Sequence, residues 1–131
     1  MDSMQMLQCE DICSHLNQVP GIRFAAIINR NGRKIAGGFN PKVIPLEGNK
    51  QRLEMFFMEI ALDLSMRKEF DCSLGSIQAI VSYREKTNII TIPYQDSILL
   101  LSSFPEMGSE KAIHVAYQSI EHCKTAGMIA S

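Results

Sequence analysis

The chain has 131 residues, 46% of them apolar and 21% charged, which suits one globular domain around one core. A formal net charge of −1 speaks against binding nucleic acid by phosphate neutralisation. No apolar run is long enough to cross a bilayer, and the start Met1-Asp2-Ser3-Met4 has neither the basic nor the apolar part of a signal peptide, so a cytoplasmic location is expected.

Residues 2–17 carry Cys9, Ile12, Cys13 and Leu16 at helical spacing, and Pro20-Gly21 ends that first helix. Residues 22–29 read as a strand, with Phe24, Ala26 and Ile28 on one face and Ala25 and Ile27 on the other. Asn31-Gly32 is a strong hairpin signal because both residues tolerate positive φ. Residues 34–39 return as the second strand. An apolar loop follows, containing Phe39, Pro41, Val43, Ile44, Pro45 and Leu46; it either folds over the core or lines a groove.

Asn49 is placed to cap a helix that reaches about Phe70. Successive residues set about 100° apart produce two apolar stripes on it. Leu53, Phe56, Phe57, Ile60, Ala61 and Leu64 form one, and Met55, Met58, Leu62 and Met66 the other. A helix lying on its own sheet needs only the first. The second requires another surface, and methionine suits adaptable contacts.

Gly75 stops the helix, and three strands are predicted at 76–84, 88–94 and 97–104. The run Ile98-Leu99-Leu100-Leu101 is apolar on both faces, which marks a central strand. Ser109 is positioned to cap a last helix over 110–124, with Ile113, Ala116, Tyr117, Ile120 and Cys123 facing the core. Residues 1–126 are expected to form a single domain, with a frayed tail at 127–131.

The motifs that would announce chemistry are missing. The sequence contains no phosphate loop, G-x-G-x-x-G, G-x-S-x-G or H-E-x-x-H. Ser65-Met66-Arg67-Lys68 matches S-x-x-K but lacks its companion motifs and lies on a polar flank. Cys9 and Cys13 sit one turn apart, yet His15 points elsewhere, so the four N or S ligands of structural zinc are not assembled. Cys9, Cys13, Cys72 and Cys123 read as free thiols. No catalytic residue, metal or cofactor is expected. Arg30, Arg33 and Lys34 gather at the first hairpin, where they are candidate contacts for an acidic partner, together with Phe39, Val43 and Ile44 of the loop.

The order helix, two strands, helix, three strands, helix resembles the roadblock (dynein light chain) family. The segments carrying the likeness are Gly21-Ile22-Arg23-Phe24-Ala25-Ala26-Ile27-Ile28 and Asn31-Gly32. Ile22-Arg23-Phe24-Ala25, Ile35-Ala36-Gly37-Gly38 and Ser65-Met66-Arg67-Lys68-Glu69-Phe70 also resemble an uncharacterised group of small proteins from ammonia-oxidising archaea. The family likeness implies an α+β, roadblock/profilin-like fold with a five-stranded antiparallel sheet in the order 2-1-5-4-3. Helix 2 would cover one face and the terminal helices the other. It further implies a homodimer joined by helix 2 and strand 3, and a non-enzymatic module that binds other proteins, small GTPases among them. On that reading Met55, Met58, Leu62 and Met66, with Ile77, Ile80 and Ser82, form the dimer interface. The alternative is a small-molecule sensor with a pocket between the sheet and helix 2.

Overall fold

A computed structural model describes the backbone of residues 3–130 and the side chains of residues 3–124. The elements are α1 (Ser3–Leu16), β1 (Ile22–Ile28), β2 (Lys34–Phe39), α2 (Lys50–Arg67), a 3-10 turn (Lys68–Phe70), α3 (Asp71–Leu74), β3 (Ile80–Tyr83), β4 (Asn88–Tyr94), β5 (Ser97–Ser103), a second 3-10 turn (Pro105–Met107) and α4 (Ser109–Ala130). The five strands form one antiparallel sheet in the order β2-β1-β5-β4-β3, as the family resemblance implies.

Alternation along the strands divides the interior in two. Phe24, Ala26, Ile28, Ile89, Ile98 and Leu100 pack with Phe57, Ala61 and Leu64 of α2. Ala25, Ile27, Ile90, Ile92, Leu99 and Leu101 pack on the other face with Cys9, Ile12, Cys13 and Leu16 of α1 and Ala112, Ala116 and Cys123 of α4. Strand β5 is central, and the side chains of 98–101 are all but removed from water. Both apolar faces read from its sequence are therefore used.

Asn49 caps α2 as expected: its Oδ1 accepts the Arg52 N–H at 3.0 Å. The first hairpin turns differently from expectation. Of Asn31 and Gly32 only Gly32 has positive φ, +83°. The chain makes a turn over 29–32 closed by Gly32 N–H to the Asn29 carbonyl, and the Asn29 side-chain oxygen accepts from the N–H groups of Asn31 and Arg33. Asn29 thus organises the turn from within. Gly32 is needed for a second reason as well. A Cβ there would lie 2.6 Å from the Met58 Cα and 2.8 Å from its N, so the hairpin tip rests directly on the backbone of α2.

Strand β3 is shorter than the expected 76–84. It pairs with β4 from Ile80↔Thr91 to Tyr83↔Asn88. Continuing that register would set Gln78 opposite Pro93, which has no N–H to give. The Gln78 carbonyl is taken instead by the Tyr117 hydroxyl of α4 at 2.6 Å. At the C-terminal end, α4 runs to Ala130, beyond the end near Lys124 read from sequence. The side chains of the expected tail at 127–131 lie outside the described residues. No helix among the described residues is long and apolar enough to cross a membrane.

Candidate functional site

The outer side of α2 is the largest departure from an ordinary surface. Met55, Met58, Leu62 and Met66 are 58%, 58%, 63% and 59% exposed, although the opposite side of the same helix is buried in the core. The four follow the helical repeat and form one continuous stripe. Phe70 and Leu74, just beyond the helix, are exposed too. Polar groups flank the stripe, including Asp63, which Arg67 Nε reaches at 3.1 Å. Monomeric proteins rarely leave a continuous apolar stripe of this length in water, so it is the candidate contact surface.

Strand β3 is an edge of the sheet, and Ser82 is exposed on it. Ile77 and Ile80 are half-buried, with part of their surface against the α2-side core. Of the residues assigned from sequence to a dimer interface, the four on α2 and Ser82 therefore stand free. Ile77 and Ile80 offer only part of their surface.

At the opposite edge, Arg30, Arg33 and Lys34 are exposed at the hairpin tip. The seat of Gly32 on Met58 brings this cationic tip beside the apolar stripe of α2. Nothing in the sequence links the two features, since no local signal tells that a hairpin tip will land on a distant helix.

The 39–48 loop is tied down at both ends. Asn40 Nδ2 donates to the Ile22 carbonyl at 2.9 Å, and Arg23 Nη2 to the Ile44 carbonyl at 2.9 Å. The Arg23 guanidinium also stacks over Phe104, 4.4 Å from its centroid. Glu47 accepts from the Asn49 N–H and from Arg52 Nε, and these bonds hold its carboxyl below the usual range. Phe39 lies edge-on to Phe24 with centroids 5.0 Å apart; Val43 is half-buried and Ile44 is 84% exposed. Between this loop, α2 and the sheet opens a cavity of about 550 Å³. Phe24, Phe39, Leu53, Phe56 and Ile89 contribute apolar lining, and Arg52, Arg84, Lys86, Glu47 and Glu59 charged lining.

The remaining chemistry-bearing residues do not converge on a site. Cys9, Cys13 and Cys123 are buried core thiols and Cys72 is exposed. Burial pushes the Cys13 thiol up to about 12 and raises those of Cys9 and Cys123. Among the described residues no group of three His, Cys, Asp or Glu side chains could hold a metal. Ser65 and Lys68 of the S-x-x-K match are both exposed. His15 stacks on His122 of α4 with ring centroids 5.6 Å apart, and its Nδ1 lies 2.7 Å from Ser119 Oγ.

This fold is that of the roadblock/LC7 domains, and profilins share its outline. The chain itself belongs to a family of unknown function, DUF6659, whose model matches residues 1–126. Among solved structures it is similar to an MglB described in a tetrameric arrangement, at 15% identity and a TM-score of 0.74 over 100% of this chain and 95% of that one. It is similar also to the roadblock/LC7 domain from Streptomyces avermitilis, at 12% identity and a TM-score of 0.67 over 91% and 97% of the two chains. Acanthamoeba castellanii profilin II is more distant, at 12% identity and a TM-score of 0.53 over 82% and 88%. A search of the curated proteins returns no match.

Proposed function

We propose that the chain is a non-enzymatic, homodimeric protein-binding module of the roadblock type, working in the cytoplasm, and that it regulates or scaffolds a small GTPase. The observation that carries the dimer is the stripe of Met55, Met58, Leu62 and Met66, left in water on a helix whose other side already packs on the sheet through Phe57, Ala61 and Leu64. A second copy meeting it across a two-fold axis would cover all four side chains on both partners. Edge strand β3, Ser82 and the outer surfaces of Ile77 and Ile80 would extend the contact.

The roadblock resemblance supplies the GTPase as partner class, and Arg30, Arg33, Lys34, Phe39, Val43 and Ile44 are the contact residues proposed for it. Light scattering tests the first part: the wild-type chain is expected at twice its own mass. Binding of small GTPases from the same source, loaded with GDP or a GTP analogue, to immobilised dimer tests the second. Failure of every GTPase to bind removes that partner and leaves the dimer standing.

The cavity beside the 39–48 loop favours a second reading, a small-molecule sensor. Its volume lies in the range of ligand pockets, and its lining is mainly apolar with charged groups at hand. Leu53→Trp would fill it. Under this reading that variant loses a thermal shift that a pocket ligand gives the wild type; an equal shift in both proteins would discard the sensor.

A further inference from the structure

The N-terminus of α4 opens on a cleft lined by Arg84, Asn88, Ser109, Glu110 and Lys111 among others. We propose that this cleft binds a tetrahedral oxyanion of the phosphate or sulfate class. The leading N–H groups of α4 and the Asn88 amide would hold it, and Arg84 and Lys111 would neutralise it.

The helix end is prepared for a guest in one respect: its own cap is missing. Sequence points to Ser109 as the capping residue, but Ser109 is already the first residue of α4, and Gly108 before it has no side chain to offer. The Ser109 hydroxyl is engaged by the Tyr83 hydroxyl at 2.6 Å. The Gly108 carbonyl accepts from the Ala112 N–H, and no described residue accepts from the N–H groups of Ser109, Glu110 or Lys111. Such free N–H groups, at the positive end of a long helix dipole, favour an anion.

Asn88 supplies an independent indication. It alternates with Ile89, which faces α2, and shares the face of Ile90, so its side chain projects toward α4. It is 4% exposed, lines the cleft, and no described residue hydrogen-bonds its amide. The residue paired with it on β5, Ser103, is fully buried, and its hydroxyl also lacks a partner. An amide on so nearly buried a residue, with no protein group to pair it, is left to solvent or to a guest in the cleft. An oxyanion in the cleft would accept from Asn88 Nδ2 while also satisfying the helix end. Arg84 and Lys111 have no ion pair among the described residues, so both are available. The Glu110 carboxylate opposes the guest and limits its affinity.

The test is a titration of the full chain with inorganic phosphate and with sulfate, followed by amide NMR shifts, with sodium chloride at equal ionic strength as the control. Saturable shifts at Ser109, Glu110, Lys111 and the Asn88 side-chain amide are expected, absent with chloride. Lys111→Gln, on an exposed residue, should weaken binding about tenfold. Glu110→Gln should strengthen it. Asn88→Leu should weaken binding while the chain stays folded by circular dichroism. Shifts that chloride reproduces, an affinity unchanged in Lys111→Gln, or equal affinity for acetate would each overturn the assignment. The α2 stripe lies on the other face of the sheet from α4, so Met58→Glu with Leu62→Glu should leave phosphate binding intact; the cleft and the proposed dimer meet only at edge strand β3, whose Tyr83 lines the cleft.

Discussion

Met58→Glu combined with Leu62→Glu places two carboxylates per chain in the middle of the α2 stripe. The two side chains are 58% and 63% exposed in the isolated chain. Covering that surface in a dimer is worth about 1–2 kcal/mol for each, roughly three-fifths of full burial of a large apolar side chain. Across a two-fold axis four such side chains are lost, a sum of about 4–8 kcal/mol, before the cost of dehydrating four carboxylates. A dimer of micromolar Kd is held by about 8 kcal/mol, so the double variant should be monomeric at any practical concentration. The monomer itself should keep its fold, because exposed substitutions of this kind shift stability by about 0.5 kcal/mol or less. Size-exclusion chromatography with light scattering reads the mass, and circular dichroism confirms the helix content. A folded variant that remains a dimer would remove α2 from the interface. A wild-type chain that is monomeric at high concentration would remove the interface altogether.

Gly32→Ala should destabilise the protein by about 2 kcal/mol or more, from a left-handed φ together with a contact against unyielding helix backbone. Asn31→Ala should stay within about 0.5 kcal/mol; equal urea midpoints for the two variants would refute the packing of the tip on α2. Asn49→Ala should cost about 1 kcal/mol in thermal melts, since the Arg52 N–H loses its acceptor. Under native conditions near neutral pH a thiol reagent should titrate Cys72 alone, with all four cysteines reacting in denaturant; fast reaction of a second thiol would contradict the buried positions. Stability should also fall in alkali. The folded chain holds the Cys13 proton up to about 12, against an ordinary value of 9.0. The unfolded chain therefore releases it first, so this contribution is whole below 9.0 and is lost as the pH rises toward 12. A urea midpoint that does not drop across that interval, or drops equally in Cys13→Ala, would disprove it.

Features set by side-chain periodicity were readable in advance. The buried and outer stripes of α2, the alternation of β1 and the doubly apolar β5 all rest on spacing within one element, and Asn49 on a short-range cap. Features set by what lies opposite were not. Residues 76–79 alternate as a strand should, yet the ladder ends because Pro93 stands on the neighbouring strand. Asn31-Gly32 carries the pair preference of a tight turn, but the Asn29 side chain stabilises a wider one in which Asn31 keeps negative φ. Ser109 has the right chemistry for a cap one position too late. The unpartnered Asn88 amide and the landing of Gly32 on α2 have no local signature, since each depends on elements distant in sequence. No residue spacing encodes the strand order β2-β1-β5-β4-β3, which the family resemblance alone implies.

The seat of the first hairpin on α2 has a mechanical consequence. Main chain touches main chain there, so no rotamer is available to absorb a displacement. A body that draws on the basic loop at Arg30 and Arg33 pulls, through Gly32, on the helical turn that carries Met58. In the proposed dimer, grip on an acidic partner would bear through that contact on the fit between the two copies.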